Sequence, residues 1–334
     1  MSDAEAALRL YIIGERLCDE GQVQSGIRSF QRAFELCPEL EQEEWPDAIA
    51  ELHAALLVAE CEPPVVEGTN DFQPALAEHC KDGQAWWASD VALDAIAATL
   101  RADGFAILDG FVGSEGAARL RAACQTAWEA DEFQPSRPQV ADAIKGTPPP
   151  ARSDLIAWDP AGFAGDLSTR TDALMTALIE RHPKLLGHVT RRQRPMVARY
   201  GHGDAFARHV DNHGHNGREV TACYYMQEPD GWDARAAGGC LRLFRSQQGA
   251  PANEETEALV DVAPLSDRLL LFFSDFRCPH EVLPVRRPGA VRFGATIWYW
   301  GERDVPEWWV DGVHDRTLLP LSLPSPVCVR RAHL

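Results

Sequence analysis

The sequence predicts an α+β protein in which a β-sandwich or barrel core is supported by helices and preceded by a small all-helical domain. Apolar residues recur at helical spacing over residues 5–60 and in three segments between residues 90 and 182. After residue 195 the pattern changes to short runs rich in β-branched and aromatic residues, such as "PMVARY", "RLLLFFSD" and "RFGATIWYW", separated by turn residues. Helices that come first in a chain and strands that follow favour a sheet core with helices packed beside it.

The first helical segment, residues 5–38, resembles a single tetratricopeptide repeat, which is a pair of antiparallel helices whose small residues let the backbones approach. A third helix is predicted over residues 45–60. Because one repeat cannot bury its own apolar face, this helix is expected to cover it. A plain helical hairpin is the alternative. We predict a helical domain over residues 1–62 and a linker over residues 63–88, where proline and acidic residues replace the helical period.

Three helices and one strand are predicted between the linker and the strand-rich part. The first helix, "DVALDAIAATLRADG", has Asp90 as its predicted N-cap and ends at Gly104. The strand "GFAILDGFV" follows, and Ser114 is the predicted N-cap of the second helix. Residues 136–154 lack periodicity and precede the third helix. A long irregular segment in a compact domain is usually functional or disordered, so this one is a candidate part of a functional site.

The charge distribution argues against nucleic-acid binding by the N-terminal part of the chain. The formal net charge of the 334 residues is −18, and residues 1–90 contain 19 acidic and 5 basic residues, a net charge of −14. A surface of that sign repels phosphate groups. The acidic helices are therefore either an ordinary solvated surface or a docking surface for a basic partner protein.

Local composition excludes several other classes. No window approaches about 18 consecutive uncharged apolar residues, so no membrane-spanning helix is expected. The first residues lack the basic region of a secretory signal. Nine cysteines, odd in number and without a C-x-x-C pair, argue against a disulfide framework or a structural zinc site. A reducing compartment, the cytoplasm or the nucleus, is the expected location, and the chain is expected to be a monomer.

Three separated residues have the identities of a mononuclear iron site. His209 and Asp211 are two positions apart, so on a strand both side chains would point to the same face. His280 opens a later predicted strand. Two histidines and one carboxylate form the facial triad of non-haem Fe(II) oxygenases, which leaves three coordination positions open. An H-x-D pair alone occurs often by chance, and this one gains weight from the residues downstream.

Arg292 opens the apolar strand "RFGATIWYW", twelve positions after His280. A cation inside such a strand needs an anionic partner, because an unpaired buried charge is very costly. One carboxylate of a dicarboxylic co-substrate matches the guanidinium fork. Together with the triad, Arg292 therefore indicates a site for iron and 2-oxoglutarate.

Residues 89–303 resemble the hypoxia-inducible-factor type of prolyl 4-hydroxylase, the EGLN group. The matching stretches are "RHVDN", "GREVTACYY", "WDARAAGGCLRLF", "DRLLLFFSD", "PHEVLPV" and "ATIWYW", with "DGFAILDGFVG" and "RSDLIAW" upstream. The resemblance implies a double-stranded β-helix, or jelly-roll, with helices packed on one sheet. Residues 304–334 are then a C-terminal tail.

The resemblance also implies roles for individual residues. It makes His209, Asp211 and His280 the iron ligands, and it makes Arg292 the group that binds the distal carboxylate of 2-oxoglutarate. The other co-substrate residues that it implies are Tyr225, which shares that carboxylate, Tyr200, the apolar wall of Met196 and Trp298, and Thr296 near the metal-bound water. The implied peptide-binding residues are Arg218 and the charged pair of Arg152 and Asp154.

The sequence departs from the family pattern at a few places. Phe206 stands where a second tyrosine is expected, so a hydrogen bond is missing there. The irregular residues 136–152 do not align closely. His213 and His215 lie in the turn "NHGHNG" and are expected to be loop histidines without a role as ligands, as is His202. Cys223 and Cys240 are expected to be small core residues.

The function implied is hydroxylation of a proline at C4 in a protein substrate, with Fe(II), 2-oxoglutarate and O2 as cofactors and co-substrates and ascorbate as the reductant. Such an enzyme would act as an oxygen sensor. Two alternatives stay open. The chain could be a 2-oxoglutarate dioxygenase that acts on another residue or on a small molecule, or an interaction protein with a regulatory iron site whose acidic N-terminal helices bind a partner.

Overall fold

The protein divides into two compact units, residues 1–63 and residues 64–334, each with its own hydrophobic core. Histidines 213 and 215, most of the predicted linker and most of the predicted tail lie outside the described residues. Within the described part, no helix is long and apolar enough to cross a membrane. The computed structural model describes residues 3–19, 23–42, 45–61, 65–66, 85–136, 151–160, 163–212, 216–228, 231–244, 258–301 and 318–320.

The first unit is a helical hairpin followed by a third helix. Its helices are α1 (Asp3–Asp19), α2 (Val23–Leu36) and α3 (Asp47–Cys61). Small residues bring α1 and α2 together, since a Cβ added to Gly26 would lie 2.4 Å from the Cys18 Sγ and 2.8 Å from the Gly14 carbonyl oxygen. The Tyr11 and Trp45 rings meet edge-on, with their centroids 5.1 Å apart, which joins α1 to the segment that precedes α3.

Most helices of the second unit come before the strand-rich part of the chain. The N-cap of the first of them is Ser89, whose Oγ accepts a hydrogen bond from the backbone N–H of Ala92 at 3.2 Å. The predicted cap, Asp90, was the wrong residue: it is the first helical residue, where a negative charge is also favourable. Gly104 ends the same helix with a φ of 83°, the left-handed conformation that glycine adopts readily. The helices described in this unit are α4 (Asp90–Asp103), α5 (Ser114–Glu129), α6 (Thr169–Arg181), α7 (Pro183–Leu186) and α8 (Ala234–Ala237).

The strands of the second unit form two sheets. Those strands are β1 (Val65–Val66), β2 (Phe105–Asp109), β3 (Gln134–Pro135), β4 (Leu155–Trp158), β5 (Val189–Gln193), β6 (Met196–Tyr200), β7 (Phe206–His209), β8 (Arg218–Tyr225), β9 (Leu241–Phe244), β10 (Ala258–Val262), β11 (Arg268–Phe273), β12 (His280–Val282), β13 (Arg292–Gly301) and β14 (Leu318–Pro320). The five-stranded sheet has the order β1-β10-β9-β12-β7. The nine-stranded sheet has the order β2-β11-β8-β13-β6-β4-β3, with β5 paired to β13 and β14 paired to β5.

Every described strand pair is antiparallel except β1 with β10, which is parallel. The predicted α+β class is therefore confirmed, and its sheets are mainly antiparallel. Two short strands lie where the sequence predicted linker and tail: Val65 of β1 pairs with Asp261, and Leu319 of β14 pairs with Arg192. Strands of two or three residues are too short to show a period, which is why the pattern did not reveal them.

The register of the sheets decides which side chains meet. All residues of β8 and β11 are buried, as expected for central strands covered on both faces. In the nine-stranded sheet Arg292 on β13 lies opposite Tyr200 on β6. In the five-stranded sheet His280 on β12 lies opposite His209 on β7. Residues far apart in the chain are thereby placed on neighbouring strands.

Candidate functional site

His209, Asp211 and His280 come together in the second unit. Their possible ligand atoms all lie within 4.8 Å of one another, and each residue is at most 8% exposed. The His209 Nε2 atom is 3.8 Å from one carboxylate oxygen of Asp211, and the His280 Nε2 atom is 3.9 Å from the other. Strand β7 ends at His209, so Asp211 lies in the following bend and not on the strand. Its carboxylate nevertheless faces both imidazoles.

Each imidazole is oriented by a hydrogen bond at Nδ1. The His209 Nδ1 lies 2.8 Å from the carbonyl oxygen of Ala207, and the His280 Nδ1 lies 2.9 Å from the carbonyl oxygen of Cys278. A carbonyl oxygen only accepts, so the proton of each neutral ring is on Nδ1. This tautomer leaves the lone pair on Nε2, the atom that faces Asp211, free to bind a metal.

The surroundings favour a neutral His209 imidazole next to an ionised Asp211 carboxylate. Burial lowers the pKa of His209 well below its usual range, and the neighbouring His280 lowers it further. Burial alone would raise the pKa of Asp211, but the two imidazoles and the Arg218 guanidinium lower it to about 2. The Thr221 hydroxyl also donates a hydrogen bond to the Asp211 carboxylate at 2.7 Å. Two imidazole nitrogens and one carboxylate form a donor set that suits Fe(II).

Arg292 supplies a buried positive charge near this group. It is 2% exposed, and its Nε donates to the carbonyl oxygen of Gly239 at 2.7 Å. Its guanidinium carbon lies 4.8 Å from the ring centroid of Tyr200 and 5.1 Å from that of Tyr225. Among the described residues no carboxylate forms an ion pair with Arg292. Because a buried cation without an anion is costly, this surrounding favours a bound carboxylate.

A cavity of about 710 Å³ contains both features. Its wall includes the His–Asp–His group and Arg292, and it therefore has room for a small dicarboxylic acid beside a metal. The sequence-predicted co-substrate residues that line it are Tyr200, Met196, Thr296 and Trp298.

Tyr225 does not line the cavity, although its ring faces Arg292. Its hydroxyl is fully buried. Among the described residues, no oxygen or nitrogen atom forms a hydrogen bond with it. Burial raises the pKa of Tyr225, so the group remains a neutral donor. Its neighbour is the Cys223 sulfur, a weak acceptor, so an oxygen acceptor supplied by a ligand would be the stronger partner for this hydroxyl.

The three predicted peptide-binding residues have different surroundings. Arg218 is 4% exposed, and its guanidinium carbon lies 4.1 Å from the centroid of the Trp298 ring system on the cavity wall. Arg152 also lines the cavity. Asp154 does not: it is 1% exposed and accepts two hydrogen bonds from Arg152, at 2.8 and 2.6 Å. Asp154 therefore holds Arg152 in place, and Arg152 is the member of the pair that faces the cavity.

Sequence reasoning missed several residues that line this cavity, among them Thr221, Cys223 and Phe272. Cys223 is a buried core residue, as expected, and it also lines the cavity, with its thiol 4.0 Å from the Thr296 hydroxyl. The strand pattern could have indicated Cys223. Thr221 and Cys223 are two positions apart on β8, so their side chains share one face of the strand, and both line the cavity. Phe272 on β11 packs against the His280 ring, and no local pattern indicates that contact.

Comparisons with known proteins agree with this site. Residues 195–300 match the family model described as the 2OG-Fe(II) oxygenase superfamily, a range that includes the His–Asp–His group and Arg292. The hypoxia-inducible factor prolyl hydroxylase of Caenorhabditis elegans is 35% identical over 214 residues, which are 60% of this chain and 27% of that protein. The prolyl hydroxylase EGLN3 of Homo sapiens is 36% identical over 163 residues, which are 47% of this chain and 62% of that protein.

A solved structure shows the same similarity. It is the prolyl hydroxylase from Trichoplax adhaerens in complex with a hypoxia inducible factor oxygen degradation domain peptide fragment; the identity is 29% and the TM-score 0.51, over 64% of this chain and 90% of that one. The chain spans between about a quarter and three fifths of the length of the two curated relatives. Residues 195–300 therefore match the model of the 2OG-Fe(II) oxygenase superfamily, in a chain similar to hypoxia-inducible factor prolyl hydroxylases over about 60% of its length.

Proposed function

We propose that this chain is an Fe(II)- and 2-oxoglutarate-dependent prolyl 4-hydroxylase that modifies a proline in a protein substrate and acts as an oxygen sensor. One observation carries the proposal: a group of two histidines and an aspartate shares a cavity with the buried Arg292, which forms no ion pair with any carboxylate among the described residues. Similarity to hypoxia-inducible factor prolyl hydroxylases supports proline as the target.

In this proposal His209, Asp211 and His280 hold the iron. Arg292 binds the distal carboxylate of 2-oxoglutarate, since the cavity reaches its buried guanidinium. The Tyr225 hydroxyl, which lacks a partner oxygen or nitrogen among the described residues, is the proposed second donor to that carboxylate. The further co-substrate residues proposed are Tyr200, Met196, Trp298 and Thr296.

The reaction proposed consumes proline, 2-oxoglutarate and O2 and yields 4-hydroxyproline, succinate and CO2. Iron with its co-substrates supplies the oxidising chemistry, in which one oxygen atom enters succinate and the other enters the proline. The chain contributes ligands of fixed tautomer, one cationic anchor and an apolar wall that limits access of water. Ascorbate is the proposed reductant that keeps the metal ferrous.

The peptide is proposed to enter where Arg152 and Arg218 line the cavity. Residues 132, 134 and 135, at and just before β3, line the same cavity, so the peptide also meets this edge of the nine-stranded sheet. Both arginines offer donors to backbone carbonyls of an extended peptide, and an Asp154 carboxylate holds one of them in position.

We further propose a double-stranded β-helix over residues 89–303, with residues 63–88 as a linker and residues 304–334 as a tail. The helical hairpin of residues 1–62 is proposed to be a tetratricopeptide-like domain whose acidic surface recruits a basic partner, such as the protein substrate. We propose a cytoplasmic or nuclear location, supported by the cysteines of the described part of the chain, which form no disulfide. We also propose that the chain is a monomer.

Proline hydroxylation is expected when the purified chain is incubated with Fe(II), 2-oxoglutarate, O2 and a library of proline-containing peptides. Mass spectrometry should show the gain of one oxygen on proline, with one succinate formed for each, and both should vanish when iron is chelated. Oxygen found on a residue other than proline, or 2-oxoglutarate turnover stimulated only by small molecules, would contradict the proposal in favour of a different dioxygenase.

Deletion of residues 1–62 is expected to separate catalysis from recruitment. All residues of the candidate site lie in the unit of residues 64–334, so activity on a short peptide should stay within about twofold of that of the full chain. Activity on the intact protein substrate should fall, because the acidic helices no longer raise its local concentration. Equal kcat/KM values of the two forms on the intact substrate would rule out the recruiting role.

A further inference from the structure

Both candidate histidine ligands have an aromatic ring packed against them. The Phe206 ring is stacked on the His209 imidazole, with centroids 3.8 Å apart and an angle of 18° between the planes. The Phe272 ring meets the His280 imidazole edge-on, at 4.7 Å and 66°. A hydrogen bond at Nδ1 fixes one atom of an imidazole, but the ring can still tilt about that bond. A stacked neighbour restricts the tilt.

The stack on His209 continues to a third planar group. The guanidinium carbon of Arg152 lies 4.3 Å from the centroid of the Phe206 ring, on a segment that forms a β-bridge with Phe206. The backbone N–H of Ala207 donates to the carbonyl oxygen of Ala151 at 2.8 Å, which holds this segment against β7. Arg152, Phe206 and His209 thus form one column that ends at a candidate metal ligand.

The far end of this column is anchored by a buried carboxylate. Arg152 donates to both oxygens of Asp154, whose side chain is fully buried, and the Ser136 hydroxyl donates to the same carboxylate at 2.9 Å. Moving the guanidinium would leave a buried charge unpaired, which costs far more than a surface ion pair. Asp154 therefore fixes the position of the Arg152 guanidinium, which packs against the Phe206 ring.

We propose that Phe206 and Arg152 are positioning residues that fix the plane of the His209 imidazole for metal binding. The inference rests on the proposed function, because it needs a metal at the His–Asp–His group. Groups that orient a metal ligand without touching the metal typically change its affinity by 10- to 100-fold when removed. Phe206 has no hydroxyl, so it acts here through the face of its ring alone. Arg152 then has a role besides any contact with a peptide.

The test is the affinity of the full-length protein for Mn²⁺, a redox-stable substitute for Fe(II), measured by calorimetry. Phe206→Ala is expected to weaken Mn²⁺ binding by about 10-fold or more, and Arg152→Ala by a smaller factor. Phe206→Tyr should restore wild-type affinity because it keeps the ring. Phe206→Leu should not restore it, because it fills the space without a flat face.

Phe244→Ala is the matched control. Phe244 lies on β9 of the same sheet and packs under Arg208, whose guanidinium carbon is 3.9 Å from the ring centroid, but its ring does not contact His209 or His280. Its loss should leave Mn²⁺ affinity unchanged. Thermal unfolding of the metal-free proteins shows whether each variant is folded.

These measurements distinguish failure of the positioning role of Phe206 from failure of the metal site itself. If the wild type binds Mn²⁺, His209→Ala does not, and Phe206→Ala binds as well as Phe244→Ala, then the positioning role is wrong while the metal site stands. Recovery of affinity by Phe206→Leu would equally overturn the role of the stacked ring. If the wild type shows no Mn²⁺ binding that depends on His209, the proposed function and this inference both fail.

Discussion

Replacement of His280 by alanine is expected to abolish 2-oxoglutarate turnover with a prolyl peptide. The His280 Nε2 atom faces Asp211 at 3.9 Å, and the one hydrogen bond of its ring among the described residues is at Nδ1. Loss of groups that only orient a ligand costs 10- to 100-fold in metal affinity, so loss of a direct ligand should leave less than about 1% of the activity. Succinate formation at saturating 2-oxoglutarate and Mn²⁺ affinity by calorimetry are the two measurements.

His202→Ala provides the comparison for this variant. His202 is exposed in the turn between β6 and β7 and does not line the cavity. This substitution therefore removes an imidazole from the second unit without changing the candidate site. It should keep wild-type turnover and metal affinity. Activity of His280→Ala above a tenth of that of the wild type, with a normal thermal unfolding midpoint, would show that His280 is not a metal ligand.

The residues that meet at the candidate metal centre could be predicted because metal chemistry restricts their identity. Few side chains bind Fe(II), and a buried arginine needs an anion, so His209, Asp211, His280 and Arg292 were recognisable without coordinates. The structure brings the first three within 4.8 Å and buries the fourth beside the same cavity. Whether they bind iron and 2-oxoglutarate remains a prediction.

The supporting contacts could not be predicted, because they depend on strand register and not on residue identity. Phe206 and Phe272 are ordinary apolar residues in the sequence. Phe206 lies three positions before His209 on β7, where the pairing with β12 shifts register, and the packing of β11 brings Phe272 to His280. The N-cap of a helix is likewise not decided by residue identity alone. Ser89 and Asp90 are both good N-cap residues, and the choice between them follows from backbone geometry before α4.

Replacement of Arg268 by alanine is expected to cause the largest loss of stability. Arg268 is 0% exposed, and it donates to both carboxylate oxygens of Asp109, at 2.6 and 2.9 Å, and to the Ala263 carbonyl oxygen at 3.0 Å. The pair joins the edge strand β2 to β11, where the two residues are direct partners. Removal of the cation leaves Asp109 charged and buried, which should lower the free energy of unfolding by about 3–5 kcal/mol. Urea unfolding followed by tryptophan fluorescence measures this change.

Two further variants decide whether the buried charge is the cause. Arg119→Ala breaks an ion pair with Asp166 in which both side chains are largely exposed, and it should cost less than about 1 kcal/mol. The double replacement of Arg268 by methionine and Asp109 by leucine removes both charges and keeps apolar volume, so most of the lost stability should return. If Arg268→Ala costs no more than Arg119→Ala, the pair does not stabilise the fold. If the double variant is as unstable as Arg268→Ala, the loss comes from packing and the lost Ala263 hydrogen bond, because no unpaired carboxylate remains in that variant.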